Sequence, residues 1–245
     1  MPVGDHVIVP DWPAPARVHA LQTTRGGGFS RAPYDSLNLG DHVGDDPLAV
    51  AANRQSLNGL VPGEPLWLRQ VHGSEVVLAE AAGCMPSADA AVSRCSNAVC
   101  AVMTADCLPV FFCDDAASVV GVAHAGWRGL AAGVLEATIR TMRSEPRHLM
   151  AWLGPAIGPR AFEVGDEVRA AFTGHAAMAA QAFVPAADGK WLADIYLLAR
   201  QRLRGAGVAR VYGGEYCTYT DAQRFFSYRR NGRTGRMASL IWLAD

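Results

Sequence analysis

A chain of 245 residues, half of them hydrophobic, can bury a substantial core in one large domain or two small ones. Its 22 Lys and Arg nearly cancel its 23 Asp and Glu, which argues against a nucleic-acid or membrane-surface binder that works by bulk charge. No stretch approaches the ~18 uncharged apolar residues of a membrane span, and the opening MPVGDHVIVPDWPAPA lacks the basic start and long apolar segment of a secretory leader, so a cytoplasmic location is expected.

The elements follow in chain order. Residues 10–16 read as an extended lead-in and 18–25 as a strand ended by Gly26, Gly27 and Gly28. Asp46 before Pro47 predicts a helix start, with the helix running to about Leu60 and stopped by Pro62 and Gly63. Strands are expected at 66–71 and 75–79, around His72, Gly73 and Ser74. The apolar runs 98–104, 109–113 and 118–123 read as strands buried on both faces. A helix follows GWRGL, with Leu130, Val134, Leu135, Thr138, Ile139 and Met142 on one face. A strand at 148–154 comes next, then a helix near 165–173 and another from Asp194 with Ile195, Leu198, Ala199 and Leu203 inward. Strands near 208–212, 224–229 and 237–243 close the chain. No repeat or linker divides it, so one domain over 1–245 is expected. Strands and helices mix without strict alternation, which predicts an α+β fold with layered helices.

The central runs are joined by connections of about four residues, too short for crossovers, and so predict an up-down-up meander. In a meander Cys107, just past the first strand, and His124, just past the third, lie at one edge of the sheet. His72 also follows a strand. His and Cys are preferred Zn²⁺ ligands, and three protein ligands leave the open position of a catalytic site. The bland reading of each residue is a buried thiol acting as a small hydrophobe or a hydrogen-bonded His at a strand end. The glycines beside both His residues mark places where backbone passes close to something. Asp106 is either an acid supporting the site or a turn residue.

Six Cys, at 84, 95, 100, 107, 113 and 217, include five within thirty residues. They read as reduced thiols rather than a disulfide framework, and no CxxC pair indicates a zinc ribbon. Arg25 with its Gly-rich loop forms a candidate anion nest or a flexible turn. Arg229 and Arg230 suit phosphate or carboxylate, or form a solvated basic loop. Asn38, Asn53 and Arg54 are polar residues in ordinary contexts, and Phe225 and Phe226 read as core before they read as a base pocket.

The motifs TTRGGGFS, SLNLGDHVGDDP, RQVHGSEV, ADAAVS, TADCLPV, VAHAGWRG, LGPAIGP and CTYTDAQRFFSYRRNGRTGR, with Asn53-Arg54, span nearly the whole chain in order. They resemble the YfiH-like family, also called the multicopper polyphenol oxidase or laccase-domain family. The resemblance implies a layered α/β/α fold of mixed sheets and a metal site at His72, Cys107 and His124. It implies phosphorolysis of adenosine, inosine and 5′-methylthioadenosine, and deamination of adenosine. Expected partners are therefore purine nucleosides and phosphate, with no nucleic acid or membrane, and a monomer.

Four chemistries compete. A multicopper cluster needs many His ligands, mostly in HxH pairs, whereas the chain has seven His and none separated by one residue; a single Cu²⁺ competes with Zn²⁺ for the same site. Deamination needs an activated water and a proton shuttle; no Glu stands in a deaminase HxE pattern, which leaves Asp106 or a more distant residue for that role. Phosphorolysis needs a phosphate site, for which Arg25, Arg54, Arg128, Arg229 and Arg230 are candidates, and Asn38 joins them as a substrate-binding candidate. The alternative to both is a Cys–His amidohydrolase acting on cell-wall precursors, with Cys107 as nucleophile and His124 as base.

Overall fold

The computed structural model describes residues 6–245; the first five residues of the opening segment, read above for a leader, lie outside them. Its strands are β1 (Val7–Ile8), β2 (Val18–Thr23), β3 (Val76–Leu78), β4 (Ala90–Ser93), β5 (Cys100–Thr104), β6 (Leu108–Asp114), β7 (Val120–Ala125), β8 (Leu149–Leu153), β9 (Glu163–Val164), β10 (Phe183–Pro185), β11 (Trp191–Ala193), β12 (Arg210–Gly213) and β13 (Met237–Leu243). The helices are α1 (Pro47–Gln55), α2 (Trp127–Ala132), α3 (Val134–Met142), α4 (Asp166–Thr173), α5 (Ile195–Gly205) and α6 (Tyr228–Asn231). The fold is the mixed α+β arrangement that the element order predicts. Among the described residues no helix is long and apolar enough to cross a membrane. All six Cys are free thiols.

Three sheets organise the chain. One has the order β1-β2-β13-β5, a second β10-β11-β9, and the largest β12-β8-β6-β7-β4-β3. The two larger sheets pack face to face, and side-chain alternation shows it. In β6 the even residues Leu108, Val110 and Phe112 pack with α3 and α5, while Phe111 and Cys113 pack with Cys100, Val102, Ile241 and Leu243 of the other sheet. The opposite face of that sheet carries Ala101, Met103 and Leu240 against Leu37, Leu39, Leu57 and Trp67. Strands buried on both sides read as continuous apolar runs, and all seven residues of β6 are buried.

The predicted meander is not formed. β6 and β7 are an antiparallel pair, but β5 leaves for the other sheet and pairs with β13. A connection short enough for a hairpin is also short enough to step between two packed sheets, and here Ala105, Asp106 and Cys107 make that step. Residues 66–71 are not a strand either. They lie along β5 with an isolated bridge at Leu66, and the Gln70 side-chain amide donates to the Met103 carbonyl at 2.8 Å and accepts its N–H at 2.7 Å. A side chain thus takes the place of a backbone ladder. Residues 224–229 form no strand: Phe225 and Phe226 are buried, and Ser227 caps the short α6. α1 begins at the predicted Asp46 cap but ends at Gln55, and short strands β4, β9, β10 and β11 had no distinct signal.

The helix predicted after GWRGL is broken at Gly133, which adopts a left-handed φ of 94° between α2 and α3. A side chain there costs about 1–2 kcal/mol of backbone strain. Gly133→Ala is therefore expected to lower stability by about that amount in urea unfolding.

Candidate metal centre

Antiparallel pairing, rather than a meander, brings the site together. In the β6–β7 register Pro109 faces His124, so Cys107, two residues before Pro109, stands beside His124 at the same sheet end. Val120 and Val122 of β7 face the β1-β2-β13-β5 sheet, and His124 shares that face by alternation. Asp89 immediately precedes β4, opposite His124 in the β4–β7 register, and its carbonyl accepts the His124 N–H at 2.7 Å. His72 is delivered by a turn in which it takes a φ of 61°.

The turn is held by the buried Asp89 carboxylate. It accepts the N–H groups of Val71 at 3.2 Å, His72 at 2.9 Å and Gly73 at 2.7 Å. The same carboxylate lies 2.8 Å from His124 Nδ1. Burial pushes the Asp89 pKa up, but these donors prevail and hold it below the ordinary carboxylate value. With Nδ1–H donated to Asp89, His124 turns Nε2 to the site, the orientation that a carboxylate imposes on a metal-binding His. Asp89 fixes two arms of the triad at once. Sequence reasoning passed over it, although a carboxylate at the head of the apolar segment ADAAVS was a signal.

One nitrogen or sulfur from each of His72, Cys107 and His124 lies within 4.8 Å of the others, and among the described residues this is the cluster of potential metal ligands found. Cys107 Sγ is 3.9 Å from His72 Nε2, and the two imidazoles meet edge to face at 4.8 Å between centroids. The glycines beside them are explained by space. A Cβ on Gly126 would come within 2.9 Å of Cys107 Sγ and 3.1 Å of His72 Cδ2, and one on Gly129 within 2.7 Å of the Gly73 carbonyl. The start of α2 therefore lies against the His72 turn only because both positions lack side chains.

Burial alone would raise the Cys107 thiol. The facing His124 and His72 outweigh it and bring the thiol down to about 6. Burial alone would lower His124; the Cys107 thiolate and Asp89 overcome that and raise it to about 9. Both shifts favour the thiolate–imidazolium form of the pair. Two imidazoles and a thiolate, one imidazole oriented by a carboxylate, are a donor set that fits Zn²⁺ or Cu²⁺.

Two cavities adjoin the triad. One, of about 260 Å³, is bounded by His72, Asp106, Cys107, Trp127, Arg128, Phe162, Tyr228 and Arg229. The other, of about 360 Å³, is bounded by His42, Gln70, Thr104, His124 and Arg236, and shares His72, Cys107 and Tyr228 with the first. Arg236 and Gln70 were not singled out from the sequence.

The remaining candidates divide by what their polar groups already do. Arg128 is exposed, stacks on Trp127 at 4.3 Å and lines the first cavity. Arg229 lines it too and gives one nitrogen to the Glu163 carbonyl at 2.7 Å. Asp106 lines it with its carboxylate engaged by the Thr218 hydroxyl at 2.6 Å and the Arg229 N–H at 2.7 Å. Arg230 spends its guanidinium on the carbonyls of Thr218, Tyr219 and Phe225. Arg25 is bound to Asp35 and the Ala222 carbonyl. Asn38 is buried and ties Gly40, Asp45 and Arg236 together. Arg54 stacks on Trp67 and borders a different cavity. The structure gathers Asp106, Arg128 and Arg229 at the triad and leaves Arg25, Asn38, Arg54 and Arg230 in the surrounding scaffold.

Comparison with known proteins bears on this arrangement. Residues 19–244 match the family model described as multi-copper polyphenol oxidoreductase laccase. The chain is 57% identical over 239 residues to a purine nucleoside phosphorylase of Pseudomonas aeruginosa, covering 97% of this chain and 98% of that one. It is 56% identical over 240 residues to purine nucleoside phosphorylase YfiH of Escherichia coli, with the same coverage. A crystal structure of a Neisseria meningitidis protein superimposes with a TM-score of 0.96 at 54% identity, covering 98% of this chain and all of the other.

Proposed function

The chain belongs to the YfiH-like, multi-copper polyphenol oxidoreductase laccase family, and on that footing we propose that it is a metal-dependent purine nucleoside phosphorylase. The proposed substrates are adenosine, inosine and 5′-methylthioadenosine, each cleaved by phosphate to free base and sugar 1-phosphate. Hydrolytic deamination of adenosine is proposed as a second activity, and the whole as the work of a single-domain monomer. The observation that carries the reading is the His72–Cys107–His124 cluster opening on a cavity walled by Trp127 and Phe162 with the exposed Arg128 on its rim.

In phosphorolysis the bond from C1′ to the base nitrogen breaks, a C1′–oxygen bond to phosphate forms, and the base leaves with a proton. Trp127 and Phe162 offer flat apolar surfaces for a base. Arg128, with Arg229, offers a guanidinium to phosphate. His72, Cys107 and His124 would hold Zn²⁺, which when bound supplies a Lewis acid and a water of lowered pKa. Asp106, the carboxylate on the cavity wall, is proposed as the proton carrier for deamination, a role that requires it to exchange its Thr218 bond for one to substrate.

Inosine incubated with and without phosphate tests the reading: hypoxanthine release should require phosphate. A charge-assisted hydrogen bond contributes about 1.5–3 kcal/mol. Arg128→Ala should therefore raise the phosphate KM roughly tenfold or more, with a smaller change in the inosine KM. An unchanged phosphate KM would remove Arg128 from the site.

One observation favours a second reading, the Cys–His amidohydrolase. Asp89, His124 and Cys107 line up as orienter, base and nucleophile. A thiolate bound to a metal is not a free nucleophile, so the two readings separate on alkylation. With the thiol at about 6, metal-free protein should react with iodoacetamide at pH 7 and lose that reactivity as pH falls below about 6. Zinc should protect Cys107 if it is a ligand. The polyphenol oxidase reading finds less support, since one three-ligand cluster is present among the described residues.

A further inference from the structure

The two cavities at the triad share His72, Ala105, Cys107 and Tyr228, so a molecule seated over the triad can extend into both. The first carries the aromatic walls and Arg128. The second, of about 360 Å³, is the larger. No Asp or Glu lines it, and Arg236 is its one guanidinium. Arg236 is half-buried and forms no ion pair among the described residues. Its Nη1 is fixed by the carbonyls of Thr234 and Gly235, both at 3.0 Å. Nε and Nη2 carry no hydrogen bond among the described residues, yet neither is one of the polar atoms cut off from solvent. They are free donors that a molecule in the cavity can reach. The chain makes room for this placement. Asn38 Oδ1 accepts the Arg236 N–H at 2.9 Å and the Gly40 N–H at 3.0 Å. A Cβ on Gly40 would lie 2.8 Å from Arg236 Cγ, so the side chain lies along Gly40 because that position has none.

We propose that the second cavity takes the 5′-phosphate of a nucleoside monophosphate, with Arg236 as the residue that binds it. A half-buried guanidinium without a counter-ion has lost hydration that nothing in the protein restores. An anion restores it, and the adjacent Nε and Nη2 donors form the fork that fits phosphate oxygens. The inference rests on the nucleoside reading of the first cavity. With the base against Trp127 and Phe162 and the sugar over the triad, the 5′ end is the substituent left to enter the second cavity. A 5′-hydroxyl or methylthio group brings no charge for Arg236 to meet; a phosphate does.

Calorimetric titration of the full chain with inosine 5′-monophosphate and with inosine, in buffer free of phosphate, tests this. The monophosphate should bind about tenfold or more tightly than inosine, the gain expected of charge-assisted hydrogen bonds. Arg236→Met, which keeps the stem and removes the fork, should abolish most of that ratio, and Arg236→Lys should recover part of it. Equal binding of the two ligands by wild-type protein would sink the proposal without any variant. So would a ratio that survives Arg236→Met but collapses in Arg128→Ala, which would put the phosphate in the first cavity. Inorganic phosphate titrated alone separates the two sources of the group. If Arg236→Met weakens free phosphate but not the monophosphate, Arg236 serves free phosphate and the proposal is wrong. If wild-type protein releases no hypoxanthine from inosine while the ratio still depends on Arg236, the phosphorylase reading fails and this subsite stands.

Discussion

Cys107→Ala is expected to remove metal and activity together. The variant loses the one thiolate of the donor set, and two imidazoles alone make a weaker and less selective site. A bound metal contributes several kcal/mol of charge stabilisation. At about 1.4 kcal/mol per decade its loss amounts to roughly 1,000-fold in kcat. Elemental analysis should show metal falling from near-stoichiometric to a small fraction. Because Cys107 sits in the turn between β5 and β6 and is only half-buried, the fold should survive, and circular dichroism should be unchanged.

Asp89 carries the second large effect, on two observables. Asp89→Asn keeps the shape but puts an amide where a full carboxylate accepts three backbone N–H groups and the His124 ring. Metal affinity should fall about 10–100-fold, the usual consequence of losing the partner that orients a metal-binding His. Asp89→Ala leaves those donors buried and unmatched, and removing one partner of such a buried network costs about 3–5 kcal/mol. Urea unfolding of metal-free protein should show that loss, separating it from the metal effect. The sign of its pH dependence follows from the lowered pKa. Stability supplied by a depressed carboxylate is present above the unfolded pKa and is lost as pH falls through the folded one. The wild-type advantage over Asp89→Asn should thus hold at neutral pH and vanish only in strong acid. An Asp89→Asn variant with wild-type metal affinity would show that Asp89 does not orient His124.

The candidate triad drew attention in sequence because two of its members sit in short segments whose neighbours are constrained by the same space: Gly73 after His72, and Gly126 and Gly129 after His124. The path that unites them was not legible. The three-residue step from β5 to Cys107 looks like a hairpin turn in sequence, and only the packing of Cys100 and Val102 against the face of β6 shows that it passes from one sheet to another. The 66–71 segment carried the apolar pattern of a strand, but Gln70 replaces the ladder with a side-chain amide. Arginines misled for a related reason. Sequence shows the guanidinium, not whether its donors are already used, and Arg25, Arg54 and Arg230 are occupied within the protein while Arg128 is not. Asp89 escaped notice because its importance rests on contacts made from the chain at 71–73 and at 124, which are remote from it in sequence.

If a metal at His72, Cys107 and His124 serves phosphate-dependent cleavage of purine nucleosides, removing it must stop the reaction. The most direct measurement is hypoxanthine release from inosine by chelator-treated protein, with zinc and phosphate each added or withheld. Release is expected only when both are present, and none at any zinc level in Cys107→Ala. Full activity in protein shown by elemental analysis to be metal-free, abolished by iodoacetamide, would contradict it and make Cys107 a nucleophile.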